Sequence, residues 1–331
     1  MADWNALERL RTRFLEQKKG AGVYWQDEND LSNYHAFFAE RIGWKWDNAL
    51  KEARLRGFQP CGKRLLDWGC GSGIATLRAL ANWGSEGIEQ VLLWDHSALA
   101  CRFAQKTIRE AYPNIAVDIA SGPGSWDCLK DTIVLVSHTL NELTSEMRNT
   151  LSEQIAHAAQ ILFVEAGNHE TSHLLAMQRN ELKENFDIVA PCTHCETCPI
   201  QSEGNRHHWC HFFGKPPTEA FTEGDWASFA AMMEIDLRSL PYSYLILNHK
   251  RLSQANAPAK AARLIGRPRQ FKGYTRLLSC DASGLHDFEV QKRDDKALWK
   301  SLKKGKDGSL YQWTEVQDDR IKSGSACDKD I

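Results

Sequence analysis

Apolar residues at helical spacing open the chain. Trp4, Leu7, Leu10 and Phe14 fall on one helical face, and Tyr34, Phe37, Phe38, Ile42 and Trp46 fall on another. Residues 1–60 therefore read as an N-terminal helical region, its helices separated by Gly20, Gly22 and the polar cluster from Asp27 to Asn33. Aromatic residues at this spacing are core material, so Trp44 and Trp46 are expected to pack against the segment that follows. From Arg64 the pattern changes. Short apolar runs at Leu65–Trp68, Val91–Trp94, Ile133–Val136 and Ile161–Val164 alternate with helix-length stretches, which predicts a parallel sheet with helices on its faces. Runs this apolar predict strands buried on both sides. Beyond Asp307 the chain is polar, ends in Ser-Gly-Ser-Ala-Cys-Asp-Lys-Asp before the final residue, and is expected to be a disordered tail.

The first strand runs into a glycine turn, Leu66-Asp67-Trp68-Gly69-Cys70-Gly71-Ser72-Gly73. Gly69, Gly71 and Gly73 permit backbone conformations and close ligand approach that a Cβ would block. Asp67 stands just before the turn. Asp95 ends the second strand 22 residues after Gly73, where a carboxylate can accept both ribose hydroxyls of an adenosine ligand. A dinucleotide fold has a longer spacing to its third glycine; Leu-Asp-x-Gly-x-Gly-x-Gly resembles the first motif of S-adenosylmethionine-dependent methyltransferases. The expected fold class is α/β, a class I, Rossmann-like methyltransferase fold over residues 61–190. After the fourth strand the chain reads Ser137-His138-Thr139-Leu140-Asn141-Glu142-Leu143, without the Asn/Asp-Pro-Pro-aromatic motif of amino methylation. His138 and Glu142 are acid–base candidates, and a satisfied polar pair fits them equally. Cys70, Cys101 and Cys128 are expected to be buried small hydrophobes. No catalytic residue is assigned.

The 42% hydrophobic content of 331 residues fills a substantial core. No stretch reaches the roughly 18 apolar residues of a membrane span, and the N-terminus has neither the apolar run of a secretory signal nor the composition of a transit peptide. A reducing cytoplasm is expected, and there ten cysteines point to metal binding more than to disulfides. Five of them matter most. Cys192, Cys195 and Cys198 form a compact run, Cys210 follows a polar insert, and Cys280 is remote; thiolates crowded this way repel one another unless a metal neutralises them, which leaves only Cys327 and the earlier cysteines outside. Both an iron–sulfur cluster and a tetrahedral zinc satisfy the pattern.

The net charge of −2 hides an asymmetry. Residues 238–306 hold 16 Lys/Arg against 5 Asp/Glu, a surface for a polyanion. Within it, Arg263, Arg267, Arg269 and Lys272 lie on a segment broken by Pro268 and Gly273 and interleaved with Phe271 and Tyr274. Charges for phosphates and rings for bases predict RNA contact there.

Several segments together resemble the methyltransferase-like assembly factor family of the mitochondrial small ribosomal subunit, which has bacterial relatives. They are Leu66–Gly73, Val164-Glu165-Ala166-Gly167, Ile188–His194, Cys198-Pro199-Ile200, Trp209-Cys210-His211-Phe212 and Arg263–Arg269. The resemblance implies a methyltransferase fold that binds S-adenosylmethionine and small-subunit ribosomal RNA, with a four-iron (4Fe-4S) cluster on Cys192, Cys198, Cys210 and Cys280. Residues 191–306 would then carry the cluster and the RNA-binding surface, and 307–331 the polar tail. Cys195 and the insert from Gln201 to His208 depart from the family pattern. The alternative is an active methyltransferase of RNA or a small molecule with a structural zinc or iron–sulfur site. Nothing in the sequence demands more than a monomer.

Overall fold

The computed structural model describes residues 2–16, 25–126, 128–252, 261–305 and 308–327. Gly20, Gly22, Lys306 and the chain end from Asp328 lie outside them. Helices α1 (Trp4–Glu16), α2 (Glu28–Tyr34) and α3 (Glu40–Leu55) lead in, the last two joined by a π-helical turn over His35–Ala39. Their aromatic stripe is core, as its spacing predicts. Trp46 is fully buried and donates its indole N–H to Ser137 Oγ at 2.9 Å.

An alternating α/β unit follows: β1 (Arg64–Trp68), α4 (Ile74–Trp83), β2 (Gln90–Trp94), α5 (Ala98–Ala111), β3 (Ala116–Ile119), β4 (Thr132–Ser137), α6 (Ser145–Ile155), β5 (Gln160–Ala166), α7 (His169–Leu182) and β6 (Phe186–Ala190). Then come β7 (Phe212–Phe213), α8 (Glu219–Thr222), α9 (Gly224–Met233) and β8 (Pro241–His249). The sheet order is β3-β2-β1-β4-β5-β8-β6, with β7 paired to β8. Strand β8 runs antiparallel to β5 and β6, whereas β1 to β5 are mutually parallel. This is the order of the class I methyltransferase fold. Chain direction reverses its walk across the sheet between β1 and β4, and ligands of open α/β sheets bind at such a switch point, beyond the carboxyl ends of the strands. Because β8 belongs to this sheet, the methyltransferase unit extends past residue 190 and is closed by a strand that follows the cysteine segment.

The remaining chain forms β9 (Ala262–Phe271), β10 (Tyr274–Asp281), β11 (Gly284–Gln291), α10 (Lys296–Lys304), β12 (Leu310–Gln317) and β13 (Arg320–Ala326). They close into a barrel in the order β10-β11-β13-β12-β9, with β11 and β13 parallel and the others antiparallel. A five-stranded closed barrel with this order, and a helix between its third and fourth strands, has the topology of an OB-fold. The described part of the expected disordered tail, residues 308–327, therefore holds two strands of a barrel. Of that stretch, Tyr311, Trp313, Ile321 and Ala326 pack into the barrel core, too few apolar positions to read as strands without the partners that β9 and β11 supply. No helix among the described residues is long and apolar enough to cross a membrane.

Candidate functional site

The glycine turn sits where the switch point places it. Gly69, Gly71 and Gly73 all have left-handed backbone conformations, with φ of 76°, 50° and 81°. Their surroundings differ. A Cβ on Gly69 would meet Thr139 Oγ1 at 2.9 Å and one on Gly73 would meet Ala104 Cβ at 3.1 Å, whereas nothing lies within 4 Å of the Gly71 position. Packing thus accounts for two of these glycines, and Gly71 alone faces open space. Asp95 accepts from Gly71 N at 2.9 Å and Ser97 N at 2.8 Å, so its carboxylate braces the turn. Asp67 is fully buried beneath it. One carboxyl oxygen accepts from Thr76 Oγ1 at 2.7 Å and the other has no hydrogen-bond partner. Burial pushes its pKa up to about 7 against the Thr76 hydrogen bond. His35 reaches the turn from the N-terminal helices, its Nδ1 3.0 Å from Ser72 Oγ. The Cys70 and Cys101 thiols lie buried behind it, whereas Cys128 is exposed, contrary to expectation.

Beside the turn, at the ends of β4 and β5, a polar cluster is held in the fold. His138 has φ of 53°, in the left-handed region that non-glycine residues seldom occupy, and its Nε2 lies 3.2 Å from Lys45 Nζ on α3. Burial and then Lys45 and Arg41 hold the His138 imidazole well below its usual pKa, so it is neutral and accepts at Nε2. Burial likewise pulls Lys45 down to about 7. Glu165 is fully buried, accepts from the Thr139 and Leu140 N–H groups at 3.0 and 3.2 Å through one oxygen, and leaves the other unpartnered.

Burial pushes Glu165 up to about 8 despite those two hydrogen bonds. The folded protein therefore keeps a proton that an unfolded carboxyl gives up near about 4.3. Its contribution is fullest below that pH and is lost as pH rises through the folded value. Glu165→Gln removes the slope. Thermal melts from about pH 5 to about pH 8 are expected to show wild type falling relative to the variant; parallel profiles would mean that Glu165 is ionised throughout.

The cysteine segment is drawn together across both units of the fold. Cys198 and Cys280 share a buried cluster with Ala176, Ile200 and Ile265, and Cys210 packs against it. Burial, then the neighbouring thiols, raise Cys198 to about 11 and push Cys210 and Cys280 well above the usual thiol range, and Cys192 is a neighbour of all three. Cys195 is exposed. Cys192, Cys198 and Cys210 come from the segment between β6 and β7, and Cys280 comes from barrel strand β10. Among the described residues no group of three or more His, Cys, Asp or Glu side chains is arranged to hold a metal ion.

Helix α7 clamps this segment, and the sequence reading missed it. His169 and His173 contact the carbonyls of Arg206 and His208 at 2.7 and 2.9 Å, Ser172 donates to that of Cys210 at 2.8 Å, and Asn180 Oδ1 accepts from Cys198 N at 3.0 Å. Lys183 Nζ donates to Thr197 Oγ1 at 3.2 Å. Positions 169, 172, 173, 180 and 183 share one helical face, a polar stripe on a helix packed between a buried strand and a cysteine loop. That stripe was the available signal.

The four arginine and lysine candidates part company. Arg263 is 2% exposed and donates to Glu52 Oε1 at 2.8 Å, Ser309 Oγ at 2.6 Å and the Pro191 carbonyl at 2.7 Å. It is an internal strut and not an RNA contact. Arg267 is exposed, its guanidinium 3.8 Å from the centroid of Phe213. Arg269 is exposed and paired with Asp287, and Lys272 is exposed in the β9–β10 turn. In that turn Phe271 and Tyr274 stack at 4.8 Å with planes 7° apart. Beside them is a cleft of about 620 Å³ lined by Lys272, Tyr274, Gln291, Lys292, Arg293 and Lys296. A second hollow is lined by Asp281, Ser283, His286, Phe288, Trp313 and Asp318. One hollow is thus basic and the other carries acids.

A family model described as mitochondrial small ribosomal subunit Rsm22 matches residues 45–314. No curated protein matches the chain significantly. Among solved structures it is similar to magnesium protoporphyrin IX methyltransferase from Synechocystis PCC 6803 with bound S-adenosylmethionine, at 14% identity over 76% of this chain and 99% of that one, with a TM-score of 0.40. It is also similar to the (4+2)-cyclase SpnF, at 18% identity over 61% of this chain and 81% of that one, with a TM-score of 0.37.

Proposed function

Because the chain belongs to the Rsm22 family of the mitochondrial small ribosomal subunit, matched over residues 45–314, we propose that it is a maturation factor of the small ribosomal subunit. In this reading it holds ribosomal RNA, binds S-adenosylmethionine at the glycine turn and carries an iron–sulfur cluster. The observation that carries the RNA reading is the basic, aromatic rim of the barrel, where Phe271 and Tyr274 offer a flat platform between Lys272 and Lys292. OB-fold barrels use the turn between their first two strands for oligonucleotides, an analogy of fold that the local charge supports.

The cofactor pocket would use Gly71 for its open approach, Asp95 for the ribose and the unpartnered Asp67 oxygen for a cationic amino group. Gly69 and Gly73 would shape the turn from behind. For the cluster, the chemistry of the donors is suitable: four thiols drawn from two units, two of them buried and two half-buried, soft ligands of the kind iron–sulfur clusters take. Cys192, Cys198, Cys210 and Cys280 would hold it and Cys195 would not. A bound cluster supplies a rigid cross-link between the barrel and the methyltransferase unit.

A second reading, active methyl transfer, is favoured by Lys45, His138 and Glu165 beside the turn. Multiple turnovers on naked RNA would establish it. The leading reading is tested by co-sedimentation with small ribosomal subunits over a salt series. Wild type is expected to sediment with them and to be released steeply as salt rises, since phosphate contacts release counterions. Phe271→Ala is expected to weaken binding by about 1–3 kcal/mol, the worth of one stacked base, without changing that salt slope. No co-sedimentation at low salt would sink the proposal.

A further inference from the structure

Arg179, on α7, is 2% exposed, yet none of the ion pairs among the described residues includes it. Its hydrogen bonds run to Cys192 Sγ at 3.3 Å, the His194 carbonyl at 3.0 Å and Asn180 Oδ1 at 2.9 Å. A guanidinium does not give up its proton inside a protein. Buried without an anion, such a charge is strongly unfavourable. A carbonyl and an amide oxygen offer dipoles only, and a protonated thiol offers less. The neighbouring groups that can become anionic are the thiols, Cys192 in direct contact with the guanidinium and Cys198 and Cys280 beyond it. The arginine and the cysteines therefore each carry a fault that the other corrects: a buried cation without an anion, and buried thiols that must become anions to bind metal.

We propose that Arg179 is the built-in counter-charge of the thiolate site, a positioning residue that grips Cys192 by its sulfur and lets the four cysteines gather negative charge together. This rests on the iron–sulfur reading above. The placement is specific. One edge of the guanidinium meets the sulfur of the first ligand and another holds the His194 carbonyl, while its neighbour Asn180 takes the N–H of Cys198. One turn of α7 thereby fixes the loop that carries two ligands. Four thiolates leave a four-iron cluster net negative, and more so after it accepts an electron. The potential of such clusters depends on net charge and on hydrogen bonds to the sulfurs, so this arginine also favours the reduced state.

The test compares wild type, Arg179→Lys and Arg179→Gln, each purified without oxygen. Iron, sulfide and zinc are measured, together with the midpoint potential and thermal melts of the loaded and the chelated, metal-free chain. Arg179→Gln is expected to lower the midpoint potential by about 59 mV for each tenfold loss of preference for the reduced cluster. It is also expected to lose iron severalfold faster in air. The melts should change sign: the variant melts below wild type when loaded and above it when metal-free, because the metal-free site has a cation and no anion. Arg179→Lys, which keeps the charge and loses the fork, should retain iron like wild type. An arginine that only packs would lower both melts and leave the potential alone, and that result overturns the proposal, as does an Arg179→Lys protein that loses iron as Arg179→Gln does. Should wild type hold zinc without sulfide, the iron–sulfur reading fails, and the counter-charge stands only if the sign change persists. A wild type without any metal overturns both.

Discussion

Cys280→Ser is expected to cost the protein at least about tenfold in affinity for small-subunit RNA while leaving its affinity for S-adenosylmethionine unchanged. Cys280 is the one proposed ligand that the barrel contributes. It lies on β10, paired with Arg263 of β9, whereas the other three come from the segment clamped by α7. Removing it would sever the proposed cross-link and leave the barrel docked through side chains. The residues proposed to meet RNA, Arg267, Arg269, Phe271 and Lys272, all lie on the barrel, so their loss of alignment is read as lost affinity. The glycine turn lies at the carboxyl ends of β1 and β2 and shares no residue with the thiol site. Fluorescence anisotropy with a small-subunit RNA fragment and calorimetry with the cofactor, on one preparation, separate the two effects. Equal RNA affinity in the variant would sink the cross-link. Cys195→Ser is the control, expected to change neither, since that thiol is exposed.

The methyltransferase sheet was legible because burial on both faces forces near-continuous apolar runs, and β4 and β5 are such runs. The turn was legible in its sequence, although only Gly71 owes its identity to open space. The barrel was not. A small barrel has one buried face, its strands alternate, and β12 exposes most of its side chains, so its composition reads as solvent-loving chain. Lys45 and Glu165 were missed for a different reason. They are 120 residues apart in sequence and become a site only when α3 crosses the ends of β4 and β5. Arg263 shows a third limit. In an undisturbed strand, residues 263, 265, 267 and 269 would share a face. Here Arg263 and Ile265 are buried and Arg267 and Arg269 exposed. Between them Gly266 takes φ of 66°, and the register against β10 shifts over the same stretch. A Cβ at 266 would meet His211 Nε2 at 2.8 Å. The contact that turns the strand belongs to a distant segment, so sequence alone reports the charge of these arginines and not their direction.

Arg263→Ala is therefore expected to act on stability, not on phosphate contacts, and to lower it by about 3–5 kcal/mol, the range for breaking a buried ion pair from one side. The side chain touches three parts of the molecule: Glu52 on α3, Ser309 before β12 and the carbonyl of Pro191 beside Cys192. Neighbouring charges hold Arg263 above the usual guanidinium range against the cost of burial, and Arg263 with Arg56 holds Glu52 low against the same cost. Glu52 keeps its 3.1 Å bond to Arg56 in the variant, which limits the loss toward the lower end. The Pro191 carbonyl keeps no such alternative, and its displacement disturbs Cys192, the first cysteine of the proposed metal site. A melting temperature lower by roughly 10 °C corresponds to that range. Limited proteolysis should cut the barrel free before the methyltransferase unit, because two of the three partners, Glu52 and Pro191, lie in the methyltransferase unit and Arg263 ties the barrel to them. A phosphate-binding arginine would behave in the opposite way: the variant would melt with wild type, and its RNA affinity would lose about one unit of salt slope. Unchanged melting with a reduced slope would return Arg263 to the RNA surface and require the barrel to turn outward in the bound state.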